Sequence, residues 1–343
     1  MKLNEIVKTN LPFVIFKKPH SGQLHVWQQQ NDQTYTDNEF NTEGFYFAPF
    51  DYNKHPVIVI PKKYSLIRQY FIREFNDNMP SLSYRITNEA AEKHQQKVIR
   101  ALKHIQKNEL QKIIVSRRQR IDIDQSFDIF SGILRLMQAH DSSFVYLWAH
   151  PSTGIWIGAT PELLTQYQNQ IFRTVALAGT LPVKTDKPVI WSSKEIKEQQ
   201  LVTDYIQQIL KQYAEQIQIG KPKTVFQGKL AHIQTQIEAV ISQLSFKTVL
   251  RQLHPTPAVC GLPTPVANKL IPDIEQYDRK YYTGFLGTIT NTAAELFVNL
   301  RCMEIFDTFI NLYVGGGIVK NSVPDKEWEE TLIKSQILLT VFK

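Results

Sequence analysis

Cysteine is scarce in this 343-residue sequence: Cys260 and Cys302 are the only two, and they lie far apart. They form neither a CxxC pair nor a disulfide framework, which suits a reducing, cytoplasmic setting. No apolar run approaches the ~18 residues of a membrane-spanning helix, so no membrane segment is expected. The opening stretch MKLNEIVKTNLPFVIF lacks an apolar core followed by a small-residue cleavage site, so no secretion signal is expected. The nine histidines show no HxxxH or HExxH spacing, which argues against a zinc site. No Walker A sequence occurs, and the run Gly315, Gly316, Gly317 does not extend to GxGxxG because position 320 is lysine. Internal repeats, low-complexity tracts and a clear linker are also missing.

What is present is ordinary for a globular chain: 43% hydrophobic and 21% charged residues, with ample length for a sizeable core. Length alone allows one large domain or two. The formal net charge is +7, but the lysines and arginines are dispersed. No zinc-finger, helix-turn-helix or RNA-binding motif accompanies them, so no nucleic-acid partner is expected. A basic surplus would help steer a small polyanion, or it has no functional meaning.

Residues 1–85 read as mixed strands and loops without recognisable chemistry. Helical periodicity marks 87–109, 126–140, 192–213 and 245–253. A strand starts at Lys112 in KIIVSRRQRIDI. The runs FVYLWAH, GIWIGAT and LLTQYQNQIFRTVALAGT suggest an antiparallel meander. KTVFQGKLAHIQTQIEAVI reads as a strand, then a turn or helix. HPTPAVCGLPTP reads as a proline-rich loop. TGFLGTIT, AELFVNLRCMEIF and TFINLYVGGGIV complete the strands. The order implies an α+β chain with large antiparallel sheets rather than βαβ winding. It is read as one domain over 1–343, with a distinct N-terminal part at 1–85 and a core at 86–343.

The chemistry concentrates near the C-terminus. A glycine run ends a strand, Ser322 or Asp325 can cap the helix that follows, and Glu327, Glu330 and Lys334 share one face of it. A second pair, Glu195 and Glu198, shares a face of the 192–213 helix, which Ser192 or Ser193 can cap. If the two helices meet, four carboxylates converge, and a hard divalent cation such as Mg²⁺ is needed to neutralise them. If they do not, both are solvated helix faces. Arg301 sits in an apolar strand and needs an anion, either a substrate carboxylate or a structural partner. The glycine N–H groups offer a second anion contact. Lys112 and Glu162, if buried, are pushed towards a base and an acid. His232 fits a core histidine as well as a ligand contact, and His254 fits a loop-shaping role.

Ten stretches, in order, resemble the chorismate-utilising enzymes: KIIVSR, GATPELL, ALAGT, SKEIKEQQLV, LAHIQT, HPTPAVCG, YYTGFLG, LFVNLR, GGGIV and EWEETLIK. That family includes isochorismate, salicylate, anthranilate and aminodeoxychorismate synthases. The resemblance runs from about Lys112 to Phe342. It implies an α+β fold of stacked antiparallel sheets flanked by helices, of the anthranilate synthase component I type. It implies chorismate as substrate, with no nucleic acid, membrane or obligatory protein partner, and a monomer. It implies Mg²⁺, with Glu198 and Glu330 as direct ligands and Glu195 and Glu327 acting through water. Gly179, Thr180 and Lys334 then surround the ring carboxylate, and Arg301, Tyr282, Gly315 and Gly317 clamp the enolpyruvyl carboxylate. His232 lies near the ring.

Lys112 matches the lysine that activates water in isochorismate- and salicylate-forming members, and Glu162 matches the acid that protonates the departing C4 hydroxyl. Ala258 matches the small residue of members that stop at isochorismate, where lyase-competent relatives carry a hydroxyl. The missing arginine after AGT argues against the anthranilate and aminodeoxychorismate types. Gln199 departs from the histidine that commonly follows the metal glutamate. The resemblance thus implies an isochorismate synthase of menaquinone or siderophore biosynthesis. Salicylate synthase, an ammonia-using synthase and an inactive chorismate-binding protein are the alternatives.

Overall fold

β-branched and aromatic residues dominate the long apolar runs, and they form strands that build two antiparallel sheets. The computed structural model describes residues 3–7, 9–72, 88–123, 127–183, 188–227 and 230–339. Among these, a nine-stranded sheet runs in the order Gly261–Leu262, Lys112–Asp122, Phe309–Val319, Cys302–Ile305, Gly154–Thr160, Phe144–His150, Phe13–Lys17, Gln23–Gln29 and Ser65–Phe71. A ten-stranded sheet runs Ala214–Ile219, Leu230–Ile241, Ile171–Pro182, Leu163–Gln168, Ala293–Val298, Phe285–Ile289, Gly44–Ala48, Ile58–Pro61 and Tyr35–Thr36, with Lys223–Gln227 also paired to Leu230–Ile241. The fold is therefore α+β with stacked antiparallel sheets, as expected. The N-terminal strands are built into both sheets.

The two sheets meet through an aromatic layer. Phe16, Trp148 and Trp156 from one face Phe45, Phe47 and Phe297 from the other. Phe144 stacks on Phe297 at 4.4 Å between ring centres, and Phe47 lies 4.9 Å from Trp148. Burying side chains of this size contributes roughly 1.5–3 kcal/mol each. Helices Ser193–Leu210 and Gln243–Leu253 cover the outer face of the ten-stranded sheet through Val202, Ile206, Phe246 and Val249. Helices Ile129–Ala139 and Pro324–Leu339 cover the other sheet through Ile133, Leu136 and Leu338. Asn88–Gln106 and Thr264–Glu275 pack behind the Lys112–Asp122 strand. No helix among the described residues is long and apolar enough to cross a membrane.

Several local expectations change. The meander is split: Phe144–His150 and Gly154–Thr160 lie in one sheet, Leu163–Gln168 and Ile171–Pro182 in the other. The run AELFVNLRCMEIF also breaks, into Ala293–Val298 and Cys302–Ile305. The two crossings lie side by side. The Val298 N–H donates to the Glu162 carbonyl at 2.9 Å, and the Ala159 N–H to the Arg301 carbonyl at 3.1 Å. Arg301 is thus not inside a strand but at the break, with φ +47°. The glycine run does not end its strand, which continues to Val319 paired with Lys112–Asp122. KLAHIQTQIEAVI is one long strand, Leu230–Ile241. The proline-rich loop leads into an unforeseen helix, Thr264–Glu275, with Pro263 as its cap and Pro265 in its first turn.

Candidate active site

One cavity of about 120 Å³ opens between the two crossings, the glycine strand and the helices Ser193–Leu210 and Pro324–Leu339. It is lined by Lys112, Glu162, Gly179, Thr180, Glu195, Glu198, His232, Tyr282, Arg301, Gly315, Gly317, Glu330 and Lys334, among others. Of the residues expected from the sequence to bind substrate or metal or to move protons, Glu327 alone does not line it. The Glu327 carboxyl is buried behind, 3.1 Å from Lys194 Nζ.

Glu162 and Arg301 arrive on the paired crossings. Burial pushes the Glu162 carboxyl up to about 7, against the pull of Lys112, Lys334 and Arg301. Burial lowers Arg301 to about 10, opposed by Glu162. Lys112 begins its strand 1% exposed, with Nζ 3.0 Å from Glu198 Oε1. Acid and lysine therefore share one largely dehydrated space, where charge acts over longer range than in water.

The glycine strand supplies backbone. Phe309–Val319 pairs with Cys302–Ile305 only as far as Tyr313, but with Lys112–Asp122 throughout. In that second ladder Gly315 faces Ser116 and Gly317 faces Ile114. Ser116 gives its N–H to Glu275, and Ile114 gives its N–H to the Cys260 carbonyl. Both are therefore non-hydrogen-bonded pairs, so the N–H groups of Gly315 and Gly317 turn away from Lys112–Asp122, towards the cavity. The Gly315 carbonyl on that side accepts from Lys334 Nζ at 3.0 Å. The anion contact expected of a glycine turn is thus an extended strand edge.

Glycine also lets the helices close in. A Cβ on Gly317 would collide with Glu198 Oε1, and one on Gly316 would sit 3.3 Å from Glu330 Oε1 and 3.5 Å from Glu327 Oε2. Gly179, at φ +73°, forms a bulge whose missing Cβ leaves room for Glu195. The Ser193–Leu210 helix starts with a capping box. The Ser192 N–H and hydroxyl donate to Glu195 Oε2, and Ser192 Oγ accepts the Lys194 N–H.

The two glutamate pairs flank the glycine strand, and lysines hold them. Lys112 pairs with Glu198, Lys194 with Glu327, and Lys334 with Glu330 at 2.7 Å. Burial, then the neighbouring Glu330, raises the Glu327 pKa, against Lys194. Burial works against charged Lys194, but Glu327, with Glu198 and Glu330 beyond it, raises its pKa overall. Among the described residues no three carboxylate, histidine or cysteine side chains gather closely enough to hold a metal ion by themselves. The donors are nevertheless all oxygen, and the set is open on the cavity side. That chemistry fits a hard cation that keeps water ligands.

His232 is neutral, its pKa pushed down to about 3 by burial and then by Arg301 and Lys334. Its Nδ1 lies 3.1 Å from the Gly179 carbonyl, which can only accept, so Nδ1 carries the proton. That leaves Nε2 as a buried acceptor without a partner among the described residues. Tyr282 stacks on Tyr313 at 5.2 Å as part of the cavity wall. Gln199 faces the helix–sheet contact instead, donating to Thr203 and Thr235. His254 donates through Nε2 to the Pro49 carbonyl, outside the cavity. Lys194, Thr283 and Tyr313 line the cavity without having been nominated. For Lys194 the sequence does hold a cue, since it falls between the capping serine and the first glutamate.

Known proteins resemble this chain over most of its length. The family model described as chorismate binding enzyme matches residues 58–343. The isochorismate synthase MenF of Haemophilus influenzae is 30% identical over 254 residues, covering 71% of this chain and 59% of the relative. The isochorismate synthase EntC of Escherichia coli K12 is 30% identical over 261 residues, covering 72% and 66%. These matches therefore span about six-tenths to two-thirds of those relatives' length. The structure of MenF, the menaquinone-specific isochorismate synthase of Escherichia coli, superposes with a TM-score of 0.84 at 20% identity, covering 100% of this chain and 91% of that one. That likeness extends the shared fold over the N-terminal strands. With the family model spanning most of the chain, this protein belongs to the chorismate-binding enzymes.

Proposed function

We propose that this chain is a Mg²⁺-dependent isochorismate synthase that adds water at C2 of chorismate as the C4 hydroxyl leaves. The observation that carries the reading is one cavity holding Lys112, a protonatable Glu162 and Arg301 together. Arg301 and the N–H groups of Gly315 and Gly317 clamp the enolpyruvyl carboxylate, with Tyr282 against it. Gly179, Thr180 and Lys334 surround the ring carboxylate, and His232 borders the ring. Glu198 and Glu330 would hold the cation, with Glu195 and Glu327 behind them. When bound, Mg²⁺ would anchor the ring carboxylate and neutralise part of its charge.

Lys112, reacting as its neutral amine, takes a proton from water as the oxygen attacks C2. The double bond shifts, the C4–O bond breaks, and Glu162 gives its proton to the leaving oxygen. Lys112 ends as an ammonium beside Glu198, and Glu162 ends as a carboxylate near Arg301. Each product charge therefore has an opposite charge at hand. The reverse reaction exchanges the two roles. Ala258 in the wall offers no hydroxyl, consistent with stopping at isochorismate.

The test is to incubate the protein with chorismate and Mg²⁺, with and without ammonium, and to separate the products by chromatography. The expected product is isochorismate in equilibrium with chorismate, abolished by a chelator. Salicylate with pyruvate would assign the chain to the lyase-competent type. An amino-substituted product would remove Lys112 from its role.

A further inference from the structure

A second cavity, of about 730 Å³, lies between the Asn88–Gln106 helix and the Lys112–Asp122 strand. Its lining is strongly cationic: Lys97, Arg100, Arg117 and Arg118 contribute to it. Of the two described glutamates in the wall, Glu275 is consumed by Arg279 in a two-bonded ion pair and by Ser116. That leaves Glu92 as the acidic counterweight. Tyr277 forms the floor, with Lys97 Nζ 5.2 Å and the Arg118 guanidinium 5.5 Å from its ring centre. Burial lowers the Lys97 pKa, Glu275 counters it, and Arg118, Arg117 and Arg100 lower it further, as crowded like charges do.

Two deeply buried side chains in the wall carry polar atoms without partners among the described residues. Arg117 is 4% exposed, with Nε on Thr331 and Nη1 on Gln119, but Nη2 has no hydrogen-bond partner among the described residues. His94 is 1% exposed, and neither ring nitrogen has one. A buried guanidinium donor left unmatched is costly, so Arg117, whose side chain contributes to the cavity lining, favours an acceptor close by. Forked guanidinium groups and a lysine around one concave space match the several oxygens of a phosphorylated molecule.

We infer that this cavity is a second ligand site, distinct from the chorismate cavity, for a small polyanion bearing a phosphate or diphosphate group. The concave shape favours a small molecule over an extended chain. Its inner wall also touches the helix that carries Glu327 and Glu330. The Arg117 guanidinium lies 4.5 Å over the Trp328 ring and bonds Thr331. A ligand drawn to Arg117 would thus sit one side chain away from the carboxylates of the first cavity.

The experiment is calorimetric titration of the protein with pyrophosphate in magnesium-free, low-salt buffer, which needs no turnover and so stands apart from the assay of the proposed reaction. Arg100→Gln with Arg118→Gln changes two exposed side chains and leaves the core untouched. That double variant is expected to weaken binding by about tenfold or more, while Arg301→Gln, in the chorismate cavity, leaves it within about twofold. Binding lost in Arg301→Gln but retained in the double variant would place the anion in the first cavity and overturn the inference. No detectable binding at about 10 mM pyrophosphate would overturn it as well.

Discussion

Glu162 shows how a single residue acquires its chemistry from its place in the chain. It lies where the backbone leaves one sheet for the other, and there burial lifts its carboxyl to about 7 despite three nearby cations. In the proposed reaction it must hold a proton before the C4 oxygen leaves. Its raised pKa keeps that proton at lower pH and releases it as pH rises through about 7. Forward kcat/KM should therefore decline as pH rises through that value, as measured by a pH series on chorismate. Glu162→Gln keeps the shape but cannot transfer a proton, and it should lower kcat by ~10²–10⁴-fold with little change in KM. An unchanged kcat would remove Glu162 from the acid's role. Lys112 and Glu162 were legible as candidates because an apolar flank makes any ionisable residue conspicuous. The left-handed backbone at Arg301 was not, because αL is normally read from glycine or asparagine.

At the scale of elements, the site depends on how closely two helices approach a bare strand. Gly317→Ala would drive a Cβ into Glu198 Oε1. It should lower stability by about 1–3 kcal/mol and raise the Mg²⁺ concentration needed for half-maximal turnover. A thermal melt and a magnesium titration read the two effects, and an unaltered titration would mean that Glu198 does not bear on the cation. The Ser193–Leu210 helix was readable because its capping box and apolar period agree. Leu230–Ile241 was harder: its glutamine- and glutamate-rich half mimics a helix, and only pairing on both sides makes it a strand. Thr264–Glu275 was hidden by prolines, although proline in a first turn fits a helix start, and Pro272 lies inside the helix.

At the scale of the whole molecule, one buried ion pair ties together the parts that surround the strand starting at Lys112. Arg279 grips Glu275 through Nη2 at 2.6 Å and Nε at 2.9 Å, and it also donates to the carbonyls of Ile114 and Val259 and to Thr283. Arg279→Met would strand a buried carboxylate and should destabilise the fold by about 3–5 kcal/mol, measured by denaturant unfolding. A loss under 1 kcal/mol would mean the surroundings rearrange to satisfy Glu275. The large antiparallel sheets were legible from the order of strand-like runs, and their stacking only from the family resemblance. The switching of strands between them was not, because both sheets demand the same alternation of apolar residues. That switching places Glu162 beside Arg301 and so makes the cavity. The proposed reaction is tested most directly by running it in heavy-oxygen water and weighing the products. Attack by water at C2 predicts isochorismate carrying one heavy oxygen in its new hydroxyl. Isochorismate formed without the label would show that the C4 oxygen migrates within the ring, and it would contradict a water-activating Lys112.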